Sequence, residues 1–176
     1  MINADGLSRQ FPTQPCFINK TQDELEEFLL FCINVAGVKT YLWKIQADKL
    51  HSFLRRAKNK TQQKSPFNCI KKLIELGDLE QSIRYSRIAS AENINSTARL
   101  NSYVDVCKLG DLQSITLDKL LKVRGIGLKT AQLFLSHSRE DFNASNFNGS
   151  NYNNNHIIDS GDNKTNTRNA KSMVTK

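Results

Sequence analysis

The stretch KLLKVRGIGLKTAQLFL, Lys119 to Leu135, has two glycines one residue apart between two segments with helical apolar periodicity. A link this short requires a tight reversal, and some of its residues need backbone dihedrals that side chains with a Cβ rarely adopt. Gly125 and Gly127 meet that need. Ile126 lies between them, and we expect its side chain to point inward and hold the hairpin against the two helices.

Signals for further helices follow one another along the preceding hundred residues. Thr21 with Glu24 forms a capping box, Ser65 is placed to cap a helix that has proline in its first turn, and Thr116 caps the helix before the hairpin. No segment alternates apolar and polar residues in the manner of a strand. The sequence therefore predicts an all-α fold with six or seven short helices. Two apolar faces are predicted: Leu25, Phe28, Leu29, Cys32, Val35 and Ala36 on the first helix, and Leu42, Ile45, Leu50, Phe53 and Leu54 on the second.

Composition divides the chain into three parts. Residues 1–20 contain two of the three prolines and no periodicity, which predicts an extended lead-in. Residues 21–142 are expected to form one compact helical domain. Residues 143–176 include ten asparagines, too polar a composition to bury an apolar core, so a mobile low-complexity tail is predicted there.

The formal net charge of +8 and the isoelectric point near 9.4 favour a polyanionic partner, although a solvated basic surface explains the same numbers. The four cysteines stand singly, which argues against disulfides and zinc sites and favours buried free thiols. No histidine has partners at metal-ligand spacing. The N-terminus lacks the pattern of a signal peptide and no apolar run is long enough to span a membrane, so the expected location is the cytoplasm.

The glycine hairpin also has a chemical consequence. Without side chains in the way, backbone N–H groups at the start of the following helix can approach an anion closely, and the helix dipole adds partial positive charge there. Lys122, Arg124 and Lys129 surround this point with cations. Phosphate binding is the favoured interpretation, and a hairpin whose glycines only turn the chain is the alternative.

The segment VRGIGLKTA resembles the helix-hairpin-helix motif of several DNA-binding families, including Holliday-junction binding proteins, DNA ligases and endonuclease III-like DNA glycosylases. Three segments together resemble a compact branch of the glycosylase superfamily: ELEEFLLFCINVAG, SPFNCIKKLIELGDLEQSIRYSRI and LQSITLDKLLKVRGIGLKTAQLFLSHSRED. The most specific piece is GIGLKTAQLFLSHSR. That branch is related to archaeal 8-oxoguanine glycosylases and occurs also in bacteriophages. The resemblance covers about residues 21–142.

The resemblance implies a DNA glycosylase with AP lyase activity, whose partner is double-stranded DNA containing a damaged base or an abasic site. It assigns the nucleophile to Lys129, which would form a Schiff base with C1′, and the catalytic acid to Asp159 in HIIDSGDN. No iron–sulfur cluster is expected, a monovalent cation at the hairpin carbonyls is compatible with the family, and the protein is expected to be a monomer, in the nucleoid or in a phage-infected cell. The DNA-binding residues implied are Lys122, Arg124, Gly125, Ile126, Gly127, Lys129 and Thr130.

The sequence also departs from the family pattern. Arg124 stands where proline is usual, and Asp159 is followed by Ser160 and Gly161 where the family has threonine and histidine. The segment IASAENINSTA replaces an expected glycine–glutamine–aromatic element of the base pocket. These departures indicate a glycosylase that is diverged or truncated at the C-terminus, with Asp159 as a solvated carboxylate in the alternative interpretation. The rival function is a non-catalytic DNA-binding module that keeps only the hairpin.

Overall fold

The computed structural model describes residues 19–88, 96–140 and 142, all within one compact unit, and in these ranges helices alternate with turns without any strand. The predicted all-α fold is confirmed for this part of the chain. Most of the predicted lead-in, the whole of the predicted tail and Asp159 lie outside it. The helices are α1 (Gln22–Val35), α2 (Trp43–Thr61) after a 3-10 turn (Thr40–Leu42), α3 (Pro66–Glu75), α4 (Leu79–Tyr85), α5 (Ser96–Val106), α6 (Leu117–Leu121) and α7 (Leu128–Ser138).

Three helices begin at the predicted caps. The Thr21 hydroxyl accepts a hydrogen bond from the Glu24 backbone, and the Glu24 carboxylate accepts one from the Thr21 backbone at 2.9 Å, which completes the capping box of α1. The Ser65 and Thr116 hydroxyls accept bonds from backbone N–H groups in the first turns of α3 and α6. Each cap satisfies a donor that has no partner inside its helix.

Helix α1 is the centre of the fold, because α2, α3, α5 and α7 all pack against it. Every residue from Leu25 to Val35 is buried except Glu27, so the predicted single apolar face is too narrow. Leu30, Phe31 and Ile33 fall outside the predicted face and are nevertheless buried. A helix enclosed by four others buries nearly its whole circumference, and its apolar pattern then no longer marks one side.

A buried carboxylate connects α1 to the start of α3. Glu26 is only 5% exposed, and its carboxylate accepts hydrogen bonds from the Ser65 hydroxyl at 2.5 Å and the Phe67 backbone at 2.9 Å. The Gln22 side chain donates a third bond to it at 3.2 Å. A negative charge at the N-terminus of α3 also interacts favourably with the helix dipole. Glu26 therefore fixes α3 against α1 although it looks like a solvent-facing residue in the sequence.

The second helix differs from its prediction at two residues. Leu42 lies in the 3-10 turn before α2 and is half-buried. Ile45 was assigned to the apolar face, yet it is 49% exposed, while the neighbouring Gln46 is buried. The buried residues of α2 recur three or four positions apart, and Ile45 does not belong to that series. They are Gln46, Leu50, Phe53, Leu54, Ala57 and Thr61.

The cysteines of the described ranges are buried thiols outside any disulfide, as predicted: Cys32, Cys69 and Cys107. Burial raises the pKa of the Cys107 thiol to about 12 and also raises the pKa of Cys69. Both thiols therefore stay protonated and unreactive at neutral pH. Cys16 lies outside the described residues.

No helix in residues 19–88 and 96–140 combines the length and the apolar character that crossing a bilayer requires. The longest is α2, which carries six lysines and arginines.

Aromatic contacts join α1 to α7, the helix that follows the hairpin. The Phe28 ring stacks on Phe134 with centroids 5.6 Å apart and meets the edge of His137 at 6.2 Å. His137 is buried, and this burial lowers the pKa of its imidazole below the ordinary value of 6.5. The folded protein therefore favours the neutral imidazole, whereas the unfolded chain binds a proton at the ordinary pKa.

This difference predicts a pH dependence of stability. The contribution of neutral His137 is fully present above pH 6.5 and is lost as the pH falls towards the lower pKa of the folded state. We expect the free energy of unfolding, measured with urea, to fall between about pH 7 and about pH 5. The variant His137→Gln should reduce this slope, because the titrating group is removed. The control His51→Gln changes an exposed histidine and should leave the slope as it is; an unchanged slope in His137→Gln would contradict the assignment.

Candidate nucleic-acid interface

The segment between α6 and α7 makes a tight turn at the expected position. After α6 ends, the Val123 N–H donates to the Leu120 carbonyl, and the Ile126 N–H donates to the Val123 carbonyl, each at 3.1 Å. Gly125 has φ of +81°, in the left-handed region that favours glycine. Gly127 has φ of −87°, which any residue adopts, so only the first glycine is required by the backbone.

Ile126 lies between the two glycines and is buried, with 4% of its surface exposed. Val123, Leu120 and Phe134 are buried in the same core. The prediction that Ile126 points inward is confirmed. Because this side chain is held in the core, the backbone on either side of it is held at the surface.

Helix α5 holds the hairpin from the other side. The Ser102 hydroxyl donates to the Arg124 carbonyl at 2.6 Å. The Arg124 guanidinium donates to both carboxylate oxygens of Asp105, at 2.6 and 3.2 Å, and Lys108 donates to the same carboxylate at 2.9 Å. Hydrogen bonds from Arg124 and then from Lys108 hold the pKa of Asp105 far below its usual range. The carboxylate therefore stays ionised at a pH where an ordinary aspartate would already take up a proton.

This arrangement changes what Arg124 contributes. The sequence predicts that its side chain contacts a phosphate, but the structure gives the guanidinium a partner inside the protein. Nothing in the spacing of the sequence connects residue 105 or residue 102 with residue 124, so both Asp105 and Ser102 were missed. The pair orients the hairpin, and a phosphate contact by Arg124 stays a prediction.

The start of α7 has unused hydrogen-bond donors. Gly127 occupies the N-cap and offers no side-chain acceptor, and the first regular helix bond is the one from Ala131 to the Gly127 carbonyl at 3.0 Å. Within the described residues, the backbone N–H groups of Leu128, Lys129 and Thr130 have no acceptor. A Cβ added at Gly127 would meet no atom within 4 Å. The space beside Gly127 is therefore open, and it lies at the N-terminus of α7, the positive end of the helix dipole.

The other predicted DNA-binding side chains differ in exposure. Lys122 and Lys129 are exposed, and neither has a carboxylate at ion-pair distance among the described residues. Thr130 is only 8% exposed, so most of this residue is shielded from solvent. The hairpin thus brings together two free cations and three free donors. Chemically, it is suited to hold one anionic oxygen or a phosphate group.

The catalytic assignments receive different support. Lys129 lies in the first turn of α7 with its side chain exposed, beside the free donors. The proposed acid, Asp159, lies outside the described residues, so its distance from Lys129 is not defined. Residues 19–88 and 96–140 contain no group of three or more histidine, cysteine, aspartate or glutamate side chains that could hold a metal ion.

The two glycines predict different stability effects. Gly125→Ala should lower the free energy of unfolding by about 1 kcal/mol, because alanine is strained at a positive φ. Gly127→Ala should stay within about 0.5 kcal/mol of the parent, because its φ is ordinary, its Cβ has open space, and the weaker N-cap is offset by a less flexible unfolded chain. Urea unfolding of both variants checks this. Equal losses in the two variants would contradict the geometry of the turn.

Comparison with known proteins gives no further assignment. No family model matches this chain, and neither a curated protein nor a solved structure matches it significantly. The residues of the chain and the geometry of the hairpin between α6 and α7 are therefore what indicates its function.

Proposed function

We propose that α6, the hairpin and α7 form a helix-hairpin-helix motif that binds the backbone of double-stranded DNA, and that the protein is a DNA glycosylase with AP lyase activity. One observation carries this proposal: Lys129 is exposed in the first turn of α7, directly beside three free backbone donors and the open space at Gly127. The substrate would be duplex DNA with an oxidised base such as 8-oxoguanine, or with an abasic site, and the protein would act as a monomer.

Backbone binding follows from the charges at the turn. A phosphate oxygen that approaches Gly127 can accept hydrogen bonds from the N–H groups of the first turn, and no side chain on residue 127 obstructs it. Lys122 and Lys129 add attraction for the same phosphate and its neighbours. Such contacts carry no sequence information, which suits a protein that must examine many positions along DNA.

The proposed chemistry uses Lys129 as the nucleophile. Its amine, once unprotonated, attacks C1′ of the damaged nucleotide, and the bond from C1′ to the base breaks as the base leaves with a proton. Opening of the sugar ring gives an imine between C1′ and the lysine nitrogen. Loss of a proton from C2′ then breaks the bond from C3′ to its phosphate, and hydrolysis of the imine returns the free amine. The target nucleotide must leave the base stack before the attack.

Asp159 is the proposed acid that stabilises the developing positive charge on the sugar. Its role depends on the segment HIIDSGDN reaching Lys129.

The second candidate function, a DNA-binding module without catalysis, is favoured by one observation. Among the described residues no carboxylate pairs with Lys129, and Asp105, which lies on α5 beside the hairpin, is engaged by Arg124 and Lys108.

Borohydride trapping separates these two functions. The full chain is mixed with duplexes that contain an abasic site or 8-oxoguanine, and borohydride reduces any imine to a stable secondary amine. We expect a covalent adduct with the parent protein and none with Lys129→Gln. The control Lys119→Gln removes another exposed lysine, on α6, and should leave the adduct yield unchanged.

Two outcomes would contradict the catalytic proposal. An adduct that persists in Lys129→Gln would assign the nucleophile to another amine. Absence of an adduct in the parent, with salt-sensitive duplex binding retained, would favour the module without catalysis. A parallel Asp159→Asn variant should trap less adduct if the acid is assigned correctly.

Backbone binding is tested by Gly127→Ala, which is expected to fold normally. The added methyl group occupies the space through which the phosphate approaches, and the loss of one charge-assisted hydrogen bond should weaken duplex binding about tenfold. Fluorescence anisotropy with a labelled duplex measures the dissociation constant. Gly110→Ala is the matched control, because a Cβ there also meets no atom within 4 Å and Gly110 lies outside the hairpin. Unchanged affinity in Gly127→Ala would remove the hairpin from the binding site.

A further inference from the structure

A second surface of the protein has a strong positive charge, and its lysines and arginines form no ion pair with the described carboxylates. Helix α2 contains six lysines and arginines and a single carboxylate, Asp48. We define the α2 cationic face as those members of this set that are not bonded to an acid, and Lys60 is excluded because it pairs with Asp78. The face consists of Lys44, Lys49, Arg55, Arg56 and Lys58; all are exposed except Lys49, which is half-buried.

The absence of acidic partners distinguishes this face from neighbouring helices. On α4, Arg84 pairs with Glu80 at 2.5 Å, and on α3, Lys72 pairs with Glu75 at 2.8 Å. None of the five cations of the α2 cationic face has a carboxylate within 4 Å in the part of the chain that the structure describes. Asp48, four residues after Lys44 on the exposed side of α2, offsets only part of their mutual repulsion, and solvent, salt ions or an external anion would relieve the rest.

The other side of α2 excludes one kind of partner. Leu50, Phe53, Leu54 and Ala57 are buried in the core, each no more than 3% exposed. A basic helix that binds a membrane surface inserts its apolar side into the lipid. The apolar side of α2 is buried in the protein interior, so it cannot insert in this way. A polyanion that presents charges along a line, without an apolar surface, fits the face that remains.

Length favours nucleic acid as that polyanion. A helix of 19 residues is about 28 Å long, and each strand of a DNA duplex places a phosphate about every 3.4 Å along the duplex axis, so a helix of this length extends beside several phosphates. With a rotation of 100° per residue, Lys44, Arg55 and Lys58 lie along one edge of the exposed side and Lys49 with Arg56 along the other. Cations are thus available over most of the length of α2.

We propose that the α2 cationic face is a second nucleic-acid surface, which binds the phosphate backbone without reading its sequence. It goes beyond the function proposed for the hairpin, since it requires neither the free donors of α7 nor the amine of Lys129. Its contribution is electrostatic: it holds the protein on DNA and so raises the rate at which the hairpin encounters a target.

The experiment compares two triple variants of the full chain that remove the same net charge. The first replaces Arg55, Arg56 and Lys58 by glutamine, and the second replaces Lys71, Lys72 and Arg84, which are exposed on α3 and α4. The dissociation constant for a short duplex of arbitrary sequence is measured against salt concentration. We expect the first variant to reduce the magnitude of the slope of the logarithm of the association constant against the logarithm of salt concentration by about 2.7. The second variant should keep a slope near the parent value. Thermal unfolding checks that both variants are folded.

Three results would overturn the inference. Equal changes in the two variants would mean that net charge acts, and not the α2 cationic face. An unchanged slope in both would mean that this face is only solvated. Loss of binding to anionic lipid vesicles or to polyglutamate, without loss of binding to DNA, would assign the face to a different polyanion.

The salt-slope experiment on the α2 cationic face and the trapping experiment on the hairpin can fail independently of each other. The α2 triple variant should still form the borohydride adduct at low salt, because Lys129 and the first turn of α7 are unchanged. Conversely, Lys129→Gln should keep nearly the whole contribution of the α2 cationic face to the salt slope. Failure of trapping with the α2 effect intact would refute the catalytic proposal alone.

Discussion

At Gly125 the chain has φ of +81°, and this one dihedral turns the polypeptide from α6 towards α7 while Ile126 enters the core. With the Ile126 side chain buried, the following backbone must remain at the surface, where Gly127 begins α7. The contacts from α5 fix the same turn from outside, through the Ser102 hydroxyl and the Asp105 carboxylate. The position of the N-terminus of α7 is therefore a consequence of a turn held on two sides by contacts within the protein.

The central helix, α1, contacts both α5 and α7, the helices that adjoin the hairpin. Phe28 of α1 stacks on Phe134 of α7, and Asn34 donates to the buried Tyr103 hydroxyl of α5 at 2.8 Å. The two helices that hold the turn are thus both fixed to α1. Glu26 orders α3 against the same helix. Because the surroundings of the hairpin are anchored in one core, its backbone donors are held in place, and binding of an anion there would require little ordering of the protein.

Local signals were sufficient for the helices and for the turn, because a cap or a glycine acts within a few residues. Thr21, Ser65 and Thr116 could be assigned from the sequence for this reason. Contacts between distant residues could not: Glu26 caps a helix about forty residues later, and Asp105 meets an arginine nineteen residues away. The role of Gly127 was only partly predicted. Its φ is ordinary, and its contribution is the empty space at the position where a Cβ would lie. A sequence shows which residue lacks a side chain, whereas only the fold shows whether that space faces solvent.

The residues that build the hairpin and the residues that can bind a phosphate are different, and this separation decides which variants are informative. Gly125 has a positive φ, and the side chains of Ile126 and Thr130 are buried. Substitutions at these positions would therefore disturb folding as well as binding. Lys122 and Lys129 are exposed and free of ion pairs with described residues, so their removal alters charge and chemistry while the core stays intact. Arg124 belongs to the first group despite its exposed guanidinium, because the bond to Asp105 holds the turn. Lys129 lies exposed in the first turn of α7 without an ion pair to a described residue, so the fold does not require it there, and its replacement separates the proposed chemistry from folding.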